Sequence, residues 1–87
     1  MEFEFDPAKS TANKAKHDID FFTAQLLWQH ASRVEIAAHS LDEPRLQVLG
    51  IVGNRVWSAF VTHRKHKIRI ISVRRARDNE EELYYGR

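Results

Sequence analysis

The stretch LQVLGIVGNRVWSAFVTHRKHKIRIISV, residues 46–73, decides the fold. Three apolar runs are separated by two short polar breaks. Leu46 to Val52 reads as a strand. Gly53-Asn54 is then a two-residue hairpin signal, because Gly accepts positive φ freely and Asn tolerates it better than most residues. Val56 to His63 pairs back, Arg64 to His66 turns again, and Lys67 to Val73 is the last strand. Ile70 and Ile71 are adjacent, so this strand is expected to show apolar residues on both faces and to lie at the centre of the sheet. Upstream, Arg33 to Ala38 alternates, with Val34, Ile36 and Ala38 inward. A loop from His39 to Pro44 joins it to the hairpin.

Helices flank this meander. Glu2 to Phe5 is a short strand with Phe3 and Phe5 on one face. Asp6-Pro7 starts a helix that runs to about Lys16: Asp6 caps orphan amides and Pro7 fits the first helical position. Ala8, Ala12 and Ala15 recur at helical spacing and are expected to pack on the sheet. Lys9, Asn13, Lys16 and His17 form a polar face that is either solvated or set against a phosphate backbone. A second helix begins with Asp20 as cap and buries Phe21, Ala24, Leu27 and Trp28. The final helix starts near Asp78, with Asp78 and Glu81 as a capping pair and Leu83 and Tyr84 as docking residues. The order β-α-α-β-β-β-β-α predicts an α+β fold with a mostly antiparallel sheet of about five strands.

With 87 residues, one domain over 1–87 is expected, burying about 60–65% of the surface of the unfolded chain. There is no cysteine, which excludes a disulfide framework and thiolate zinc sites. No apolar run is long enough for a membrane span, and MEFEFD is acidic where a secretory signal is basic, so a cytoplasmic protein is expected. The net charge of +2 conceals segregation: Arg64 to Arg77 holds seven Lys or Arg and no acid, and Asp78 to Glu82 is almost purely acidic. Such a basic block is either solvated surface or a phosphate footprint.

The five histidines show no HExxH spacing and no carboxylate at ligand spacing, so no metal and no cofactor is expected. There is no GxSxG, no P-loop and no thiol nucleophile. Cation chemistry on RNA or DNA remains. RNA cleavage by its own 2′-OH needs a proton acceptor, a proton donor and cations on the phosphorane, and Arg or Lys supply the last of these. Arg64, Arg69, Arg74, Lys9, Lys16 and Tyr84 are the available parts, with histidine as the alternative acid and base. Composition permits simple nucleic-acid binding equally.

DPAKSTANKAKHDIDF, residues 6–21, resembles the N-terminal signature of the BrnT toxins through Asp6, Pro7, Lys9, Asn13, Lys16, His17, Ile19 and Phe21. RIISVRRA, residues 69–76, resembles the last-strand motif of that family through Arg69, Ile70, Ile71, Ser72, Arg74 and Ala76, and Tyr84 falls where its final helix carries a tyrosine. The resemblance spans nearly the whole chain. It implies a RelE-like fold and an endoribonuclease toxin of a type II toxin–antitoxin pair that arrests translation. It also implies a BrnA-like antitoxin with a ribbon-helix-helix DNA-binding part, a symmetric hetero-oligomer, and operator DNA bound through the antitoxin. Asp18 stands where the family has glycine. His63-Arg64-Lys65-His66 stands where the family turn commonly reads Glu-Arg-Gly-Asp, and Val61 where a polar or aromatic residue is frequent. These departures motivate a second reading, a non-catalytic module acting mainly as co-repressor.

On this resemblance the expected catalytic set is Arg64, Arg69, Arg74 and Tyr84. Lys9, Asn13, Lys16, His17, Arg75 and Arg77 are expected to bind RNA. Arg69 lies on the opposite strand face from Ile68 and Ile70. Arg75 and Arg77 are expected to act through their field alone.

Overall fold

A computed structural model of the chain describes residues 2–38 and 43–86. Its strands are β1 (Glu2–Glu4), β2 (Val34–Ala38), β3 (Arg45–Val52), β4 (Arg55–Arg64) and β5 (Lys67–Arg75). They form one mixed sheet in the order β1-β5-β4-β3-β2. Strands β2 to β5 are an antiparallel meander, while β1 adds in parallel to β5 through Glu2–Glu4 against Lys67–Arg69. The central strand is therefore β4, and β5 is interior but off-centre. Most of the expected His39–Pro44 loop, residues 39–42, lies outside the described residues.

Helix α1 (Pro7–His17) starts as expected, with the Asp6 side chain accepting from the Ala8 N–H at 2.8 Å. It ends at Asp18 in the left-handed region, φ 65°. The second helix is short: α2 (Phe21–Ala24), capped by Asp20 accepting from the Thr23 N–H at 2.7 Å, tightens at once into a 3-10 helix over Gln25–Gln29. That N–H holds the Asp20 carboxyl below the usual carboxylate range. Helix α3 (Asp78–Tyr85) closes the chain. Its cap is Arg77 rather than Asp78, and Glu80 rather than Glu81 reaches back to accept from the Arg77 N–H at 2.8 Å.

One sheet face is the main core. Ile19, Phe21, Ala24 and Leu27 pack on Val48, Ala59, Val61, Ile70 and Val73. Burying each large aliphatic or aromatic side chain there stabilises by about 1.5–3 kcal/mol. The opposite face carries a smaller cluster in which Tyr84 of α3 packs on Leu49 and Val56. Leu83, expected to help dock α3, is exposed instead.

The packing of α1 overturns the alanine expectation. Ala8, Ala12 and Ala15 face solvent, and the buried positions are Ser10 and Asn13. The cause is where the helix sits. Strand β1 covers β5 only as far as Arg69, so among the described residues the rest of that edge has no strand beside it. Helix α1 supplies one hydrogen-bond acceptor there, and its other buried polar groups tie it to the segment that leads into α2. Asn13 Oδ1 accepts from the Val73 N–H at 3.2 Å, while its Nδ2 donates to the Ile19 carbonyl at 2.7 Å. Ser10 Oγ accepts from the Phe21 N–H at 2.9 Å.

The two adjacent isoleucines of β5 also have a different meaning. Pairing with β4 steps from Val61↔Ile70 to Phe60↔Ser72, so Ile71 is the extra residue of a β-bulge. Ile70 and Val73, three apart, consequently both enter the main core. Every side chain after the bulge has its parity reversed relative to a regular strand.

Candidate functional site

That reversal assembles the site. Arg69 and Arg74 are five apart and would point to opposite faces of a regular strand. With Ile71 extra, Arg69 pairs with Thr62 and Arg74 with Ser58, two positions of β4 with the same parity. Arg64, two residues beyond Thr62, shares that parity. All three arginines expected to be catalytic thus belong to the sheet face opposite the main core. Along β4 they fall at intervals of about 7 and 13 Å, from a rise of about 3.3 Å per residue.

Each arginine is held by a carboxylate. Arg64 lies 3.6 Å from Glu43 and Arg69 donates to Glu4 at 2.9 Å. Arg74 is bidentate on Glu80, with Nη1 and Nη2 at 2.8 and 2.9 Å from the two oxygens. Glu80 also accepts from Gln47 Nε2 at 2.6 Å and from the Arg77 N–H. Gln47 donates in turn to the Ser58 hydroxyl at 2.8 Å. The Arg74 side chain is 22% exposed and that of Glu80 12%. The Arg74 guanidinium beside it, together with the backbone and amide donors, holds the Glu80 carboxyl down at about 2. Hydrogen bonding to Glu80 pushes Arg74 the other way, further above its ordinary value. Arg74 also stacks over the Phe60 ring, 5.4 Å from its centroid. The product is a fixed, planar cation beside an aromatic ring, suited to a phosphate oxygen or a base.

A second set of cations lies around the β5 edge. Lys14, Lys16, His17, Arg74, Arg75 and Arg77 line a groove of about 450 Å³ between the end of α1 and the β5–α3 junction. A smaller hollow of about 230 Å³ continues along α1 past Lys9, Asn13 and Ser72, sharing Lys16 and His17 with the groove. Of the residues expected to bind RNA, Lys9, Lys16, His17, Arg75 and Arg77 are brought together here. Asn13 touches the hollow but is nearly buried. It is 7% exposed, and both ends of its amide are used on backbone groups. Tyr84 is 2% exposed, its ring in the second core and its hydroxyl 3.4 Å from that of Ser32. The exposed phenol is its neighbour Tyr85.

Sequence reasoning missed Lys14, Glu80, Gln47, Ser58 and Phe60. Lys14 and Phe60 carry no motif. Glu80 had a usable signal, an acid three residues after Arg77 at a helix start.

A family model described as ribonuclease toxin, BrnT, of type II toxin-antitoxin system matches residues 5–80. No curated protein matches the chain.

Proposed function

Because the chain belongs to the BrnT family of ribonuclease toxins of type II toxin–antitoxin systems, we propose that it is a metal-independent endoribonuclease that cuts RNA in the cytoplasm and arrests translation. The 2′-oxygen attacks the adjacent phosphorus, its proton passes to a base, and the bond to the 5′-oxygen breaks as that oxygen takes a proton. The products carry a 2′,3′-cyclic phosphate and a 5′-hydroxyl. The observation that carries this reading is the common sheet face of Arg64, Arg69 and Arg74. Preorganised cations there meet the charge that develops on the phosphorane. Glu80 and Gln47 hold the Arg74 fork in place before substrate arrives.

The fold is read as RelE-like, with 1–87 acting as one toxin domain. The partner is read as a BrnA-like antitoxin with a ribbon-helix-helix part, bound in a symmetric hetero-oligomer that reaches operator DNA through the antitoxin. An acidic segment of that partner suits the arginine face, since opposite fields steer association.

The test is cleavage of single-stranded RNA in EDTA by protein free of antitoxin. Cyclic-phosphate ends are expected, and Arg69→Ala is expected to lower the rate on the order of 10²–10³-fold. Intact RNA with the parent protein and the variant alike removes the reading. RNA binding without cleavage favours the co-repressor module instead. A pH–rate profile with an acidic limb lost in His17→Ala or His63→Ala assigns the proton-transfer group.

A further inference from the structure

We propose that the groove between α1 and the β5–α3 junction is an RNA-backbone exosite, which binds phosphates flanking the cleavage position and makes affinity depend on substrate length. This rests on RNA being the substrate of the arginine face.

Three observations carry it. The first is charge. Lys14, Lys16, Arg75 and Arg77 line the groove with His17 and Arg74, and the one acid among its lining residues is Asp18. Asp18 sits at the rim, its side chain 94% exposed and paired to Lys14 at 3.4 Å. The acidic first turn of α3 does not contribute to the lining: Asp78, Glu80 and Glu81 are absent from it. A concave surface with cations on both walls concentrates a polyanion.

The second is chemistry. Among the described residues no Phe, Tyr or Trp lines the groove, and its one ring is the His17 imidazole. Single-stranded binders engage successive bases on rows of rings, so a groove with five Lys or Arg side chains and a single imidazole grips phosphates and tolerates any sequence. The third is continuity. Arg74 lines the groove and also lies over Phe60 and against Glu80 on the sheet face. A strand bound at the arginine face therefore passes over the end of β5 directly into the groove. Flanking nucleotides lie in the groove while the scissile phosphate stays on the sheet.

The closing experiment uses Lys16→Ala/Arg75→Ala/Arg77→Ala. All three side chains are exposed, and the cap of α3 uses the Arg77 backbone N–H rather than its side chain. The binding probe is a single-stranded 2′-O-methyl oligonucleotide of about 12 nucleotides, within the usual site size and inert to 2′-OH attack. Affinity is read by anisotropy between 50 and 200 mM salt, alongside cleavage of an unmodified RNA of that length and of a dinucleotide. Three lost phosphate contacts lower the salt slope by about 2, so the affinity gap to the parent protein narrows by about 10- to 20-fold over that range. Cleavage of the long RNA is expected to show a KM raised about tenfold or more, and the loss on the dinucleotide to be much smaller. An unchanged salt slope with a parent protein that binds and cleaves overturns the exosite alone. An equal loss on long and short substrates also overturns it. A parent protein that neither binds nor cleaves removes the exosite together with the ribonuclease reading. If the variant keeps its RNA affinity but loses an acidic antitoxin peptide, the groove is a protein site and the proposal fails.

Discussion

Replacing Glu80 by Gln isolates what the Arg74 network contributes. The folded carboxyl ionises at about 2, against an ordinary value of 4.5. A difference of about 2.5 at about 1.36 kcal/mol each corresponds to about 3 kcal/mol. The side chain is 12% exposed, so solvent screening reduces this little. The folded value lies below the unfolded one, so the unfolded chain takes up the proton first as pH falls. The stabilisation is complete above about pH 5 and is lost progressively as pH drops from 4.5 towards 2. At pH 3 about 2 kcal/mol of it has gone. Glu80→Gln keeps the shape but leaves a largely buried guanidinium without its counter-charge. The expected loss at pH 7 is about 2–3 kcal/mol, or roughly 10–20 °C in Tm for a domain of this size. Urea unfolding followed by tryptophan fluorescence, for both proteins from pH 7 to pH 3, measures it. The gap should be widest at neutral pH and close as the parent protein acidifies. A variant within about 0.5 kcal/mol of the parent at pH 7, or a gap unchanged at pH 3, refutes the reasoning.

Three further outcomes are expected. Asn13→Ala orphans the buried Val73 N–H and Ile19 carbonyl and should cost about 2–4 kcal/mol by urea unfolding, against about 1–2 for Ser10→Ala, which orphans one group. Lys65 sits at φ 56° in the β4–β5 turn, so Lys65→Gly should raise stability by about 0.5–1 kcal/mol, visible as a higher Tm. Gly50→Ala places a methyl 2.9 Å from Leu27 Cδ2 and 3.4 Å from the Leu27 carbonyl, and should cost about 1–3 kcal/mol by thermal unfolding.

The element order and the hairpin at Gly53 are legible because they follow from local rules. Asp6, Pro7 and Asp20 mark helix starts by what one side chain does for the nearest amides. Alternation in Val34–Ala38 states which residues face inward. Asp18 and Lys65, each standing where the resembled family has glycine, are the two non-glycine positive-φ positions among the described residues. The family resemblance also survives, because its motifs are fixed residue types at fixed spacing.

The identity of the cations is therefore sequence information, and their arrangement is not. Spacing alone puts Arg69 and Arg74 on opposite faces. Only pairing with β4 reveals the extra residue at Ile71 that turns Arg74 back beside Phe60 and Glu80. In the same way, Asn13 reads as one more polar residue on a basic helix. It becomes structural because β1 stops at Glu4 and leaves the Val73 N–H in need of an acceptor. In both cases the deciding quantity is a hydrogen-bond partner supplied by a distant segment. A linear pattern records which residues repeat, but the register between strands sets which of them meet.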